Sequence, residues 1–326
     1  MTTIRRLQQT WAKGNRHVIA WMGDSVVYNH TLRNDPAQMP AAICEYLLRE
    51  ENSCAVECQN FGVAGSNTTQ MLASIGELLQ WDGGLRRFRN IPDIVCIGTG
   101  GNDSGDGINQ ATSAANVVAM VRYLRNGCKD SVSGQASLPA AEWMPGDRML
   151  VLSDTSTTGG VATPTGAAHA TVTGTVTGPT IWECRNGLAG ESGWSRVADL
   201  DAADRVVNRF ILFSPHFINT TSGADTYAAG SHSGQRAAYL QAHNAMEAAQ
   251  TTLGGTAEGV EYVDLYLRFQ ELLASPGWDT VASGGWHYLP TDVHLNPHGS
   301  YLFGNFIRNR IVSASSGAWL TALQAD

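Results

Sequence analysis

The chain has 326 residues, of which 43% are hydrophobic and only 15% charged, and its formal net charge is −8. That length and apolar share suffice for one large domain or two smaller ones around a sizeable core. The acidic balance, without any basic run, argues against nucleic-acid binding, and no apolar run reaches membrane-spanning length, so membrane insertion is not expected.

In chain order, "MTTIRRLQQTWAKGNRH" lacks the apolar core of a signal peptide and reads as a short amphipathic helix. The chain is therefore expected to be made in a cytoplasm without a signal peptide. "HVIAWMG" is a short apolar run ending in a turn, which predicts a buried strand. "PAAICEYLLREE" has helical spacing. "CAVECQNFGVAGSNTTQ" reads as a strand and then a glycine-rich loop, "MLASIGELLQW" as a helix, and "IPDIVCIGTGGNDSGDG" as an apolar strand running into a polar turn. "ATSAANVVAMVRYLRNG" is a helix closed by Gly127. Strands alternating with helices predict a parallel sheet covered on both faces, whose ligands sit at the carboxyl ends of the strands.

From about Asp130 to Asp201 the helical pattern stops. "GDRMLVLSDTSTTGG", "HATVTGTVTG" and "TIWECRNG" are short alternating runs broken by Gly, Thr and Pro, which predict a small antiparallel β module. The α/β pattern then resumes with the strand "NRFILFSPHF", the helix "SGQRAAYLQAHNAMEAAQTTL", the strand "GVEYVDLY" and a last helix "PHGSYLFGNFIRNRIVSA". The module, residues 131–201, is thus inserted into one α/β domain made of residues 1–130 and 202–326. The six cysteines (Cys44, Cys54, Cys58, Cys96, Cys128 and Cys184) include no C-x-x-C pair and are expected as reduced, mostly buried thiols.

Four predicted loops carry polar residues of catalytic type. Ser25 lies in "GDS", Gly65 in "NFGVAGSNT", Asn102 in "GTGGND" and His294 in "TDVHLNPHG". On a parallel sheet all four face one edge. A serine needs a base to become a useful nucleophile, and His294 can supply it if a carboxylate orients the ring; Asp292 is the nearest one. The Ser25 and Gly65 backbone N–H groups and the Asn102 amide can serve as donors to a developing oxyanion. Asp24 is assigned to hydrogen bonds that hold the Ser25 turn, Asp103 to capping the following helix, and His298 to a helix start. His216, His232 and His287 have no metal-ligand spacing, and "NDSGDG" lacks the glutamate of a calcium loop, so neither metal nor cofactor is expected.

The blocks "GDS" (Gly23 to Ser25), "NFGVAG" (Asn60 to Gly65), "GGND" (Gly100 to Asp103) and "HLNPHG", in this order, resemble the SGNH (GDSL) hydrolase family. The resemblance spans roughly residues 16 to 128 and 205 to 312. It implies a flavodoxin-like three-layer α/β sandwich with a parallel sheet, here interrupted by the small β-rich module. It also implies Ser25 as nucleophile, His294 as base, and Ser25, Gly65 and Asn102 as the oxyanion hole. The family's acid usually stands three residues before the histidine; that position is Thr291, and Asp292 stands two before. Either a shorter loop lets Asp292 reach the ring, or Ser25 and His294 act as a dyad with a backbone carbonyl orienting His294. The G-x-S-x-G elbow of α/β-hydrolases is absent.

Within the module, "PGDRMLVLSDTSTTGG" and "GWSRVADLD" resemble a repeat of phage tail fibres, with "TIWEC" replacing its middle element. This implies a virion or phage-like particle surface as the place of action, with a homo-oligomer and other virion proteins as partners. Trp143, Trp182 and Trp194 of the module are either sugar-stacking or core residues, whereas Trp286 and Tyr288, near His294, are expected to wall the substrate site. The function read from this is a serine esterase removing O-acetyl groups from bacterial surface polysaccharide, or acting on a small ester. The alternative is a glycan-binding spike that kept the fold and lost turnover, and a lipase or thioesterase ranks last because no apolar lid segment is present.

Overall fold

The computed structural model describes residues 16–28, 35–83, 85–98, 100–139, 142–154, 178–216, 231–274 and 294–324. Along them run β1 (His17–Gly23), the single-turn α1 (Ser25–Tyr28), α2 (Pro40–Asn52), β2 (Val56–Asn60) and α3 (Thr68–Ser74). The short strands β3 (Trp81–Asp82) and β4 (Arg87–Phe88) precede β5 (Ile94–Gly98) and α4 (Gln110–Asn126). Next come β6 (Asp130–Gly134), β7 (Arg148–Ser153), β8 (Thr180–Cys184), β9 (Trp194–Val197) and β10 (Phe210–Phe213). The chain closes with α5 (Ser231–Thr252), β11 (Val260–Val263), α6 (Leu265–Ala274), α7 (Pro297–Ser313) and α8 (Ala318–Gln324). The N-terminal helix expected before β1 lies outside the described residues. No helix among them is long and apolar enough to cross a membrane.

The chain sorts into two compact units. One takes Lys13–Met71, Pro92–Val117 and Arg209–Asp326 and carries a five-stranded sheet in the order β11-β10-β5-β1-β2. Every neighbouring pair in it is parallel. All residues of β5 and β10, and all but the first of β1, are buried. Such uninterrupted apolar runs are what a strand covered on both faces requires. The edge strand β2 reads "VECQN" and buries only Val56. Register pairs Gly23 with Gly98, Gly98 with Phe213, and Phe213 with Val263, while Trp21 faces Asn60. The carboxyl ends of the five strands therefore line up, and the loops that follow them leave from one edge.

Helices cover this sheet through regularly spaced apolar side chains. In α2, Ile43, Cys44, Leu47 and Leu48 are buried, and in α7, Phe303, Ile307 and Ile311. Asn296 caps α7, its side chain accepting the Gly299 N–H at 2.8 Å, with Pro297 at the first helical position. Trp21, Phe213 and Phe303 meet as a triangle of rings with centroids 5.0–6.0 Å apart, within the range of favourable tilted and edge contacts.

Two expectations are corrected here. The strand expected over "GVEYVDLY" stops at Val263, because the Asp264 Oδ1 accepts the Leu267 N–H at 2.8 Å and starts α6. The helix expected over "MLASIGELLQW" begins earlier, at Thr68, and tightens into a 3-10 turn over Ile75–Leu78.

The other unit takes Leu72–Ile91 and Val118–Asn208, besides Met1–Ala12 outside the described residues, and carries the sheet β6-β7-β8-β9. The β7–β8 and β8–β9 pairs are antiparallel as expected, but β6 and β7 run parallel. The long connection 135–147 returns the chain to the starting end before β7 begins, which a tight hairpin cannot do. Leu138, Met149, Val151, Trp182, Cys184 and Trp194 form its core, so Trp182 and Trp194 are core residues rather than a sugar-stacking surface. Trp143 packs against Trp194 at 5.2 Å between centroids. Arg196 and Asp154 are fully buried together at 3.7 Å, and Asp154 also accepts from Thr180 Oγ1 (2.7 Å) and Trp182 Nε1 (3.2 Å). Much of "HATVTGTVTG" lies outside the described residues. All six cysteines are free, and burial pushes the Cys44 and Cys96 thiols well up.

Candidate active site

The first loop leaves β1 at Gly23. A Cβ there would sit 2.3 Å from Val27 Cγ2 and 2.4 Å from the Gly98 carbonyl oxygen, so only glycine allows the chain to turn this tightly against β5. Asp24 then nucleates α1. Its Oδ1 accepts the Val26 N–H at 2.9 Å, and its carbonyl accepts those of Val27 and Tyr28. The carboxylate also takes the Gly101 N–H, which ties the turn to the loop after β5. This is the bracing expected for Asp24. Burial pushes its pKa up to about 6; the two amide bonds pull it down and the Asp103 charge adds to the rise. Ser25 follows as the first residue of α1 and is half-buried.

The second loop stays beside the first. Phe61 N–H donates to the Trp21 carbonyl (2.7 Å) and Val63 N–H to that of Gly23 (2.9 Å), which carries β1–β2 pairing past the strand ends. The Ser66 hydroxyl adds a bond to the Gly23 carbonyl at 3.3 Å. Gly65 sits at φ +79° with nothing within 4 Å of where a Cβ would be. The third loop reaches the second through Asn102, whose Nδ2 donates to the Ser66 carbonyl at 2.9 Å. The fold thus brings the loops of Ser25, Gly65 and Asn102 together, on the adjacent strands β1, β2 and β5.

The stretch directly before His294, residues 275–293, lies outside the described residues. Helix α6 takes the position after β11, and His294 stands two residues before the α7 cap. It is half-buried, and the next residue, Leu295, is in the same buried cluster as Val26 and Val27, the neighbours of Ser25. Asp292, Trp286 and Tyr288 lie outside the described residues, as does His287. His298 is in the first turn of α7, as expected. His216 is fully buried against the Tyr239 and Phe269 rings, a packed histidine.

Asp103 departs from its expected role. Helix α4 is capped by Asn109, whose Oδ1 accepts the Thr112 N–H at 2.9 Å. The Asp103 carboxylate instead binds the Thr68 amide and hydroxyl, each at 2.8 Å, and the Ser113 hydroxyl. The bond to Thr68 spans 35 residues and has no local sequence signature.

Sequence reasoning also missed a polar cluster at the β11 end. Ligand atoms of His243, Glu247 and Asp264 lie within 4.8 Å of one another. His243 Nδ1 is 2.8 Å from the Tyr262 hydroxyl and 3.4 Å from Asp264, and its Nε2 is 3.7 Å from Glu247. Asp264 raises the His243 pKa through hydrogen bond and charge, against the opposing effect of burial. One histidine and two carboxylates are a donor set for a divalent cation, but both ring nitrogens already face these partners, so the arrangement is an ion-paired histidine. Asp264, first after an apolar run, was the one local signal for it.

The family described as GDSL-like Lipase/Acylhydrolase matches residues 21–302. No curated protein sequence matches the chain. Among solved structures, it is similar to an acetylxylan esterase from Geobacillus stearothermophilus, at 12% identity over 94% of this chain and 96% of that one (TM-score 0.45). It is similar to a lipase/acylhydrolase from Enterococcus faecalis, at 14% identity over 90% and 95% (TM-score 0.45). A carbohydrate acetylesterase family member from Sinorhizobium meliloti is similar at 10% identity over 91% and 97% (TM-score 0.45).

Proposed function

The chain belongs to the GDSL-like lipase/acylhydrolase family, and from that premise we propose that it is a serine esterase removing O-acetyl groups from carbohydrate. Its class, an ester hydrolase of SGNH type, follows from the family. In the proposed reaction the Ser25 Oγ attacks the ester carbonyl carbon while His294 takes the hydroxyl proton. The tetrahedral oxyanion is held by the Ser25 and Gly65 N–H groups and the Asn102 amide. Its collapse breaks the bond to the sugar oxygen, which leaves with the proton from His294. Water then gives a proton to His294 and attacks the acetyl-enzyme, releasing acetate and restoring Ser25. Asp292 orients the His294 ring, and Trp286 and Tyr288 wall the substrate.

The observation that carries this reading is the hydrogen-bonded set of loops after β1, β2 and β5, with Asn102 Nδ2 on the Ser66 carbonyl beside the open face of Gly65. Bacterial surface polysaccharide is the proposed substrate class and a phage-like particle, with homo-oligomeric assembly and other virion proteins, the proposed setting. The tail-fibre-like "GDRMLV" and "GWSRVADLD" of the module support it. The test is fluorophosphonate labelling and turnover of a chromogenic acetyl ester by wild type and Ser25→Ala, followed by acetylated glycans. Labelling and turnover that vanish in Ser25→Ala are expected. A folded wild type that neither labels nor turns over would shift the assignment to a glycan-binding spike.

A further inference from the structure

We propose that Asp103 is a positioning residue for the oxyanion hole: its buried carboxylate locks the Gly65 loop to the Asn102 loop. The inference rests on the reading of Gly65 and Asn102 as oxyanion donors.

Three consecutive residues after Gly65 are each tied to the loop after β5. The Ser66 carbonyl accepts from Asn102 Nδ2 at 2.9 Å, Asn67 Nδ2 donates to Asp106 Oδ2 at 2.7 Å, and Thr68 gives both its amide and its hydroxyl to Asp103 at 2.8 Å. The Asp103 bonds are the innermost of these. Asp103 and Thr68 are both 0% exposed, and Ser113, the third donor to the carboxylate, is 1% exposed. Asn116 Nδ2 backs the arrangement by donating to Thr68 Oγ1 at 3.0 Å. The backbone of Asp103 is held as well: its amide donates to the Gly100 carbonyl, and its carbonyl accepts from Asp106 and Ile108.

The chemistry of the group is what marks it out. Asp103's partners among the described residues are neutral donors, one amide and two hydroxyls. Removing a carboxylate from water is costly unless its oxygens are saturated with hydrogen bonds. A carboxylate is also the side chain that accepts from three converging donors without turning a donor of its own towards them. An asparagine here would point an NH2 at one or two of them. The peptide that carries Asn102 is therefore fixed from one side, and the backbone three residues past Gly65 from the other. An oxyanion hole is effective only when its donors are set in advance to within about half an ångström. The brace meets that need without touching substrate, so its loss acts on the transition state rather than on substrate binding.

The experiment compares wild type, Asp103→Asn, Asn102→Ala and the double variant on a chromogenic acetyl ester, with fluorophosphonate labelling and melting temperature on each. Expected for Asp103→Asn is a kcat lower by tenfold or more, below the roughly 10²–10³-fold loss for removing a donor itself. KM stays within about twofold, and the labelling rate falls in parallel with kcat. In the Asn102→Ala background the Asp103→Asn effect shrinks, because both act on the same hole; a purely structural role would leave the two effects additive. If Asp103→Asn does not fold, Thr68→Val is read in its place, since it deletes one bond to Asp103, with the Asn116 bond behind it, and keeps the carboxylate. An active wild type whose Asp103→Asn keeps kcat, changes KM instead, or adds independently to Asn102→Ala overturns the brace alone. A folded wild type with neither turnover nor labelling of Ser25 overturns the esterase reading and the brace with it.

Discussion

Gly23 and Gly98 face each other across β1 and β5, and a Cβ on Gly23 would come within 2.4 Å of the Gly98 carbonyl oxygen and 2.3 Å of Val27 Cγ2. The turn that presents Ser25 is thus built on a backbone contact no larger residue permits. Gly23→Ala is expected to destabilise by about 1–3 kcal/mol or more, as overpacking against backbone does, and to abolish labelling of Ser25. Gly65→Ala has open space around it and meets only the penalty of φ +79°, about 1–2 kcal/mol. Urea unfolding of both variants checks the order; a Gly65→Ala less stable than Gly23→Ala contradicts it.

Asp24 links acidity to stability. A carboxyl whose folded pKa is raised from 3.8 to about 6 binds its proton more tightly when folded. Stability is therefore lost as pH rises from about 4 to about 6 and levels off above. Two units correspond to about 3 kcal/mol. Asp24→Asn cannot titrate, so its stability relative to wild type should improve by that order between about pH 4 and pH 7. Denaturant midpoints across pH measure it, and a difference that does not vary with pH refutes it.

Asn102 donates one amide hydrogen to the Ser66 carbonyl, and the proposed reaction uses the other as an oxyanion donor. Asn102→Ala should lower kcat by about 10²–10³-fold on an acetyl ester while the melting temperature moves little. Equal losses in kcat and folded fraction would point to a structural residue instead.

In the β unit, Arg196 and Asp154 are buried as a pair. Arg196→Met takes the cation from a buried carboxylate that keeps its Thr180 and Trp182 donors and should cost about 3–5 kcal/mol, part of which the double change Arg196→Met with Asp154→Leu restores. Trp182 and Trp194 fluorescence during unfolding gives the readout, and a double variant less stable than the single one argues against it.

His243 gains its proton's stabilisation from Asp264, with Glu247 and the Tyr262 hydroxyl also facing the ring. A histidine whose folded pKa is raised contributes below its ordinary value of 6.5 and loses that contribution as pH rises through the folded pKa. The stability gap between wild type and His243→Gln should narrow as pH rises above about 6.5. A gap that widens reverses the sign of the coupling.

What the amino-acid sequence determined by itself is periodic and local. The apolar runs of β1, β5 and β10 could only be strands covered on both faces, and the spacing in α2, α4 and α7 could only be helical. The order of the "GDS", "NFGVAG", "GGND" and "HLNPHG" blocks identified the family, and Gly23 and Asp24 already encoded the Ser25 turn. What only the tertiary structure decided is pairing at long range. That β6 lies parallel to β7, that Asp264 ends a strand by capping a helix, and that Asp103 binds Thr68 instead of capping the helix after it have no repeat to betray them. An apolar side chain needs only a buried face, which periodicity announces. A buried carboxylate needs particular donors at hydrogen-bond distance, and which residues supply them is settled when distant loops meet at the edge of the sheet.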